Sequence, residues 1–528
     1  MAAIFTLVFI LFHSLHLVLS EDTTHGGFIQ CLEKYSPLPI DLSTLIYFPN
    51  TTSYSSQLLS SIQNLRYASA ATPKPVLIIT PNCEFEVQAT VYCCKANNLP
   101  LRIRSGGHDY EGLSYHSFTN GPFVLLDLAK LRSVDVDVEE GTAWVQVGAT
   151  IGDLYYRIGE KTSTYGFPAG VCATLGTGGH FSGGGMGTMV RKYGLSADNI
   201  LDAIMVDANG WLLDRESMDD DLFWAIRGGG GGNFGIILAW KVKLVPVPPT
   251  VTVVTITKRS KKEALDLIHK WQTIAPKLHE NIFIEAVIRI VKAAGTGVEA
   301  NFNTMFLGEC SELLHLMGAS FPELGVKAKD CKKMSWVEST LYFAGFTNGE
   351  PLETLMDRKL QRKAFVKAKS DFVMKPVKRE VWDDVWERFS KMELAFMSMY
   401  PYGGRMAEIE EDEIPFPHRK GNLYNIQYVV PWQDGGVEAA ERNMNWIKNL
   451  HDMMAPHVSK NPRTAYVNFR DLDLGRNEDE ETCYLDARVW GRKYFKGNFW
   501  RLAMVKGVVD PDNFFRSEQS IPPLVHWA

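Results

Sequence analysis

The chain lacks the common nucleotide-binding and metal-binding signatures. It has no Walker A segment and no GxGxxG between a strand and a helix, which argues against ATP or NAD as its ligand. No CxxC pair occurs, so the eight cysteines do not form a zinc motif. Eight cysteines among 528 residues are also too sparse for a disulfide scaffold. Neither sign of charge is in large excess: the net charge is −6, which suggests no nucleic-acid or membrane-surface partner. There is no internal repeat or low-complexity tract, and beyond the first twenty residues no apolar run is long enough to span a bilayer.

The N-terminus is different in character. Ala2 to Ser20 carry no charged residue, and Val18-Leu19-Ser20 places small residues ahead of Glu21-Asp22. Residues 1–20 read as a secretory signal peptide, the alternative being an N-terminal membrane anchor. Export permits disulfides. Asn50-Thr51-Thr52 is the one N-glycosylation sequon, so a glycan is expected at Asn50.

The length calls for two domains or more. Pro75 to Pro81 bracket a buried-strand candidate, Phe85 to Asn97 have helical periodicity, and Leu101 to Arg104 return to strand. Further strands are expected at Phe123–Asp127 and Ala143–Val147, with a helix over Thr150–Gly159 capped by Thr150. Pro246-Val247-Pro248-Pro249 breaks this alternation. A strand at Val251–Thr257 and helices at Lys262–Ile274, Val381–Met392 and Glu438–Met453 follow. The expected divisions are 1–20 (signal), 21–245, 246–461 and 462–528.

Three glycine-rich segments stand out: Ser105-Gly106-Gly107, Gly176 to Gly187, and Arg227 to Gly235. Their exposed N–H groups can hold a pyrophosphate. Nucleophiles lie next to two of these segments. His108 lies in RSGGHDYEG (104–112), and Cys172 lies in GVCATLGTGGH (170–180). Taken in order with GTGGHFSGGG, RKYGLSADN, WAIRGGGGGNFG, YVNFRDLDLG and DPDNFF, these motifs resemble the berberine bridge enzyme-like flavoproteins of plants over essentially the whole mature chain.

The resemblance implies an α+β fold. A two-part FAD-binding domain of vanillyl-alcohol oxidase type (21–245, with 462–528 returning to it) would carry an inserted substrate domain (246–461) built on an antiparallel sheet covered by helices. It implies one FAD held by two covalent bonds, from His108 to the 8α carbon and from Cys172 to C6. The remaining cofactor contacts would come from Arg104, Ser105, Gly106, Gly107, Asp109, Gly170, Thr174, Leu175, Gly178, Gly179, His180, Gly183, Gly184, Gly187, Gly235 and Asn513. His180 would face the pyrimidine edge as a positive or hydrogen-donating group, and Leu175 would gate O2 access. The resemblance pairs Cys31 with Cys93, Cys94 being the competing partner. The signal segment implies the secretory pathway, ending in the apoplast or vacuole.

The implied activity is hydride transfer from a plant secondary metabolite, expected to be phenolic, to flavin N5, with a base removing a proton. Tyr110, Asn425, Gln427 and Tyr466 are the candidate catalytic residues. Gln427 stands where alkaloid-cyclising relatives carry glutamate, Asn425 where others carry lysine or glutamate, and Phe469 where several carry a tyrosine base. Met186 replaces an aromatic residue. None of these replacements is a base. A non-redox cyclase of Diels–Alder type, using the flavin as scaffold, is therefore the alternative reading.

Overall fold

The apolar run between Pro75 and Pro81 forms a buried strand, as its composition requires. In the computed structural model, which describes residues 23–35, 41–118, 121–291, 297–346, 349–359, 363–478 and 482–524, the first four strands are β1 (Ile46–Tyr47), β2 (Leu77–Ile79), β3 (Leu101–Arg104) and β4 (Val124–Asp127). They are ordered β1-β2-β4-β3, with the last three parallel. β2 and β4 are buried along their whole length, the pattern of strands covered on both faces. The helix Glu84–Ala96 connects β2 to β3. The expected signal peptide, residues 1–20, lies outside the described residues.

Seven strands follow: β5 (Val134–Asp137), β6 (Thr142–Gln146), β7 (Tyr165–Gly166), β8 (Ile200–Val206), β9 (Leu212–Leu213), β10 (Ile236–Lys243) and β11 (Val245–Pro246). Five of them form an antiparallel sheet in the order β5-β6-β10-β8-β9, while β7 pairs with β11. The helix Ile151–Lys161 begins at Thr150 through a full capping box: Thr150 Oγ1 accepts from the Asp153 N–H, and Asp153 accepts from the Thr150 N–H.

After the Pro246–Pro249 break come β12 (Val251–Lys258), β13 (Ile282–Val291), β14 (Gly297–Phe306), β15 (Lys332–Met334), β16 (Phe365–Val373), β17 (Phe396–Pro401) and β18 (Tyr424–Trp432). They make one antiparallel sheet ordered β15-β12-β14-β13-β17-β18-β16. The period-two alternation of strands divides its faces. Ile284, Ala286 and Ile288 of β13 share a core with Leu265, Ile268 and Trp271 of the helix Lys261–Ile274 and with Trp382 and Ile447 of the helices Arg379–Phe389 and Val437–Met454. The opposite face carries Glu285, Ser398 and Gln427.

The chain's end packs into the first core. Trp490, Phe499 and Leu502 belong to the same apolar cluster as Leu77, Val124 and Trp240. Lys506 Nζ donates to the Asn233 carbonyl (2.6 Å), and Arg102 pairs with Glu518 (2.9 Å). Cys31 and Cys93 form a disulfide between the helices Thr23–Tyr35 and Glu84–Ala96. Cys94 stays free and buried. A second disulfide, Cys310–Cys331, was not expected from the sequence. Among the described residues no helix is long and apolar enough to cross a membrane.

Candidate active site

Glycine decides how closely the two motif loops approach. A Cβ on Gly106 would lie 2.2 Å from the Gly176 nitrogen, and a Cβ on Gly176 would lie 2.2 Å from the Gly106 nitrogen. The loops pack backbone to backbone, which brings the segment carrying His108 against the one carrying Cys172. The Thr174 hydroxyl lies between the two side chains, 2.8 Å from His108 Nε2 and 3.6 Å from Cys172 Sγ. Burial pushes the His108 imidazole down to about 4, so at neutral pH it is uncharged and keeps a lone pair. The Cys172 thiol is free and exposed to the cavity.

That cavity, about 930 Å³, lies between the glycine loops and the polar face of the β12–β18 sheet. It falls within the usual range for ligand sites. Part of its wall is bare backbone. No atom lies within 4 Å of a Cβ placed on Gly179, and at Gly231 and Gly232 the nearest atoms are 3.6 and 3.8 Å away. Two nucleophiles on one wall and a glycine surface open to the space beside them suit a large planar cofactor with a pyrophosphate tail.

Of the residues expected at the cofactor, Ser105, Gly106, Gly107, His108, Asp109, Gly170, Cys172, Leu175, Gly178, Gly179, His180, Gly187 and Gly235 line the cavity, as do Tyr110, Met186, Gln427 and Tyr466. Several others do not line it. Arg104 is fully buried, paired with Asp127 and donating to the Leu58 and Gln57 carbonyls. Gly183 is packed against Asn468, and Gly184 against Leu195 and Tyr466. Asn513, at φ 51°, turns the segment after the last helix. Asn425 is fully buried and donates to the Asp371 carbonyl. Thr174 acts through its bridge to His108 and Cys172.

Of the two forms expected of His180, positive or hydrogen-donating, the geometry favours the second. Burial, with His108 nearby, brings its pKa down to about 4. The Gly170 N–H donates to its Nε2 at 2.9 Å, so the proton of the neutral ring sits on Nδ1. It is a hydrogen-bond donor without charge.

The substrate-side wall is built from side chains. Gln427 Nε2 donates to the Tyr110 hydroxyl (2.7 Å), and its Oε1 accepts from Tyr400 (3.2 Å). With its oxygen already accepting, Tyr110 can turn its own proton into the cavity. Burial pushes that phenol up to about 12, so it remains a donor. Phe469 stands among Tyr110, Tyr400 and Tyr466, with ring centroids at 6.3, 6.4 and 4.9 Å. The Tyr466 hydroxyl accepts from the Gly185 N–H (2.9 Å) and from Asn468 (3.0 Å).

Sequence reasoning missed Glu285, Asn303, Ser398 and Tyr400, all of which line the cavity. Glu285 had left a trace: it is the one acid in the strand IFIEAVIRIV, where a charge is costly unless it is used. Also missed was a buried ion network joining three parts of the chain. Lys367 pairs with Glu111 and Asp471, and Lys369 with Asp471 and Asp473.

Two family models match the chain, one described as FAD binding domain over residues 75–214 and one as Berberine and berberine like over residues 465–522. A tetrahydroberberine oxidase from Berberis wilsoniae is 51% identical, over 96% of this chain and 95% of its own. A monolignol oxidoreductase from Arabidopsis thaliana is 48% identical, over 96% and 95%. Among solved structures, a protein described as a wild-type glucose dehydrogenase, the grass pollen allergen Phl p 4, superposes with a TM-score of 0.90 at 45% identity, covering 94% of this chain and 100% of that one. A variant of that protein with valine for isoleucine at one position is described as a glucose oxidase.

Proposed function

Because this chain belongs to the berberine bridge enzyme-like family of FAD-dependent oxidoreductases, we propose that it holds one FAD by two covalent bonds, at His108 and Cys172, and oxidises a phenolic plant metabolite. The observation that carries the reading is the single Thr174 hydroxyl within reach of both nucleophiles. The 8α carbon is a substituent of the flavin ring that contains C6, so two attachment points must converge as these do. The flavin supplies a hydride acceptor at N5.

The protein's own groups do the rest. The glycine backbone of 105–107, 178–179 and 230–232 supports the cofactor. His180 offers its Nδ1–H without charge. Tyr110, fixed by Gln427, donates to a substrate oxygen, and the rings of Phe469, Tyr400 and Tyr466 suit an aromatic body. Leu175 lies on the cavity wall beside Cys172 and restricts O2. The cyclase alternative rested on the missing bases at Gln427 and Phe469. A carboxyl elsewhere on the same wall, Glu285, removes its motive, so oxidation is the reading retained. The disulfides and the exposed Asn50 suit a secreted glycoprotein of the apoplast or vacuole.

The test is to denature the yellow protein in acid and separate it from small molecules. Colour that stays with the polypeptide supports the attachment, and colour that passes through ends it. Anaerobic mixing with phenolic alcohols tests the redox reading: bleaching supports hydride transfer, while product formation without bleaching would favour the cyclase.

A further inference from the structure

We infer that Glu285 is the proton acceptor of this cavity, taking the hydroxyl proton of a phenol or alcohol bound against the β12–β18 sheet. The inference rests on the proposed function for its setting and adds the base which that reading lacks. Among the described residues lining the cavity only two carboxyl groups occur, Asp109 and Glu285. Asp109 is on the cofactor side, where it accepts from the Glu111 N–H (2.8 Å) next to His108. Glu285 is on the substrate sheet, and the surface it exposes faces the cavity.

Strand register places the side chain. Glu285 of β13 is directly opposite Asn303 of β14, and Asn303 Nδ2 donates to its Oε2 (3.1 Å). Ser398 and Tyr400 of β17 face the same carboxylate and favour its ionised form, Tyr400 having a single proton to share between Glu285 and Gln427. Tyr400 reaches on to Gln427, and Gln427 to Tyr110. On the other side Thr255 donates to Asn303 Oδ1 (3.1 Å) and meets the Tyr342 hydroxyl (2.8 Å). One row of hydrogen bonds thus crosses the sheet from Tyr342 to Tyr110, and Glu285 is its only carboxyl.

The chemistry is a proton transfer. The substrate O–H bond breaks and its electron pair stays on the substrate oxygen. A new O–H bond forms on the carboxylate, which loses its charge. Burial favours that neutral product and raises the pKa of Glu285, while Asn303, Ser398 and Tyr400 offset the shift by donating to the ionised form. This balance makes Glu285 a stronger base than an ordinary carboxylate, as a general base requires. The other titratable groups facing it do not compete there. Tyr400 and Tyr110 are pushed up by burial, and Arg289 on the same strand is held by Glu299 (2.8 Å).

The test uses the flavin-loaded protein and 4-tert-butylphenol, which has a hydroxyl but no hydrogen on the carbon next to its ring to give up as hydride. Calorimetric titration of wild type should show binding that weakens as pH falls through the Glu285 titration, above the ordinary carboxylate range. Glu285→Gln, which keeps the size and hydrogen-bonding capacity, should bind with no pH dependence over the same range. The same pH dependence in both proteins, or none in wild type, would overturn the inference. Anaerobic bleaching by 4-hydroxybenzyl alcohol adds the kinetic readout. Glu285→Gln should slow it by about 100-fold or more, and Glu285→Asp should recover part of the rate. Equal bleaching rates in wild type and Glu285→Gln would remove Glu285 as base. If wild type is not bleached at all, the redox proposal fails, and Glu285 as proton acceptor stands or falls on the calorimetry.

Discussion

The cavity has two walls made by different means. The cofactor wall is backbone: glycines 106, 107, 176, 178 and 179 and the run 230–232, drawn from three short segments and shaped by close approach. The substrate wall is side chains: Glu285, Asn303, Ser398, Tyr400 and Gln427, one or two from each of four strands. A backbone wall fixes what is bound by its shape, and many substitutions on it clash. A side-chain wall on a regular sheet can be rewritten at one position without disturbing the strand.

The sharpest way to break this comparison is at the attachment points. Replacing both His108 and Cys172 with Ala should abolish covalent retention, so that all colour is released on acid denaturation. Each single variant should keep the flavin through the remaining bond. Retention in the double variant would place the attachment elsewhere and take the cofactor wall's function with it.

The next largest effect concerns what joins the walls. Lys367 of β16 is 1% exposed and bonds Glu111, just after the His108 loop, and Asp471 of the C-terminal segment. Lys367→Ala takes one cation from each of two buried carboxylates, leaving Asp471 with Lys369 (2.8 Å) and Glu111 with Arg66 (3.5 Å), and should cost about 3 kcal/mol in denaturant unfolding. A loss below about 1 kcal/mol would mean the walls are held by apolar packing alone. The same network sets an acid limit. Although burial opposes it, Lys367 and Lys369 lower the Asp473 pKa to about 2 and lower that of Asp471 as well. Folded values below the unfolded ones stabilise the protein above the ordinary carboxylate pKa of about 4. That contribution is lost as pH falls from about 4 to about 2, and thermal melts across that window should record the loss.

Two glycine substitutions sharpen the contrast within the cofactor wall. Gly176→Ala pushes a methyl onto the Gly106 nitrogen and Ser105 Oγ, each 2.2 Å away. It should destabilise the protein by about 1–3 kcal/mol with or without flavin. Gly179→Ala meets nothing within 4 Å and should leave the melting temperature of the flavin-free protein unchanged while reducing flavin incorporation. If Gly179→Ala instead melts like Gly176→Ala, the open surface at Gly179 is not a cofactor seat.

The two walls were also unequally legible. The cofactor wall was readable because its chemistry is written contiguously: glycines, a histidine and a cysteine within short segments, where spacing and order carry information. Strands such as Val251–Lys258 and helices such as Lys261–Ile274 followed from periodicity. Arg104, Gly183, Gly184 and Asn513 were assigned to the cofactor because they belong to the same segments. Motif membership does not say which way a side chain points. Asn425 misled for a related reason. It shares a face with Gln427 two residues on, yet lies deeper, where Asp371 claims it. Glu285 was invisible because its partners Asn303, Ser398 and Tyr400 come from strands distant in sequence, and only pairing and register bring them together. The Cys310–Cys331 bridge was missed because two sparse cysteines in a long chain carry no spacing signal.

The smallest effect tests a side chain placed on the backbone wall. Leu175 lies at the turn after Cys172, where its N–H donates to the Cys172 carbonyl (3.0 Å) and its carbonyl accepts from the Ile151 N–H (2.8 Å). Its backbone is therefore fixed, and only the side chain varies. It is partly buried and faces the cavity beside Gly170. Leu175→Val removes one methylene there, costing about 1 kcal/mol of packing, and opens space next to the attachment point. If access is what limits reoxidation, the reduced flavin should return to yellow several-fold faster in aerated buffer, with the anaerobic bleaching rate unchanged. Reoxidation at the wild-type rate would mean that O2 reaches the flavin by another path, and that this wall controls cofactor placement but not the final electron acceptor.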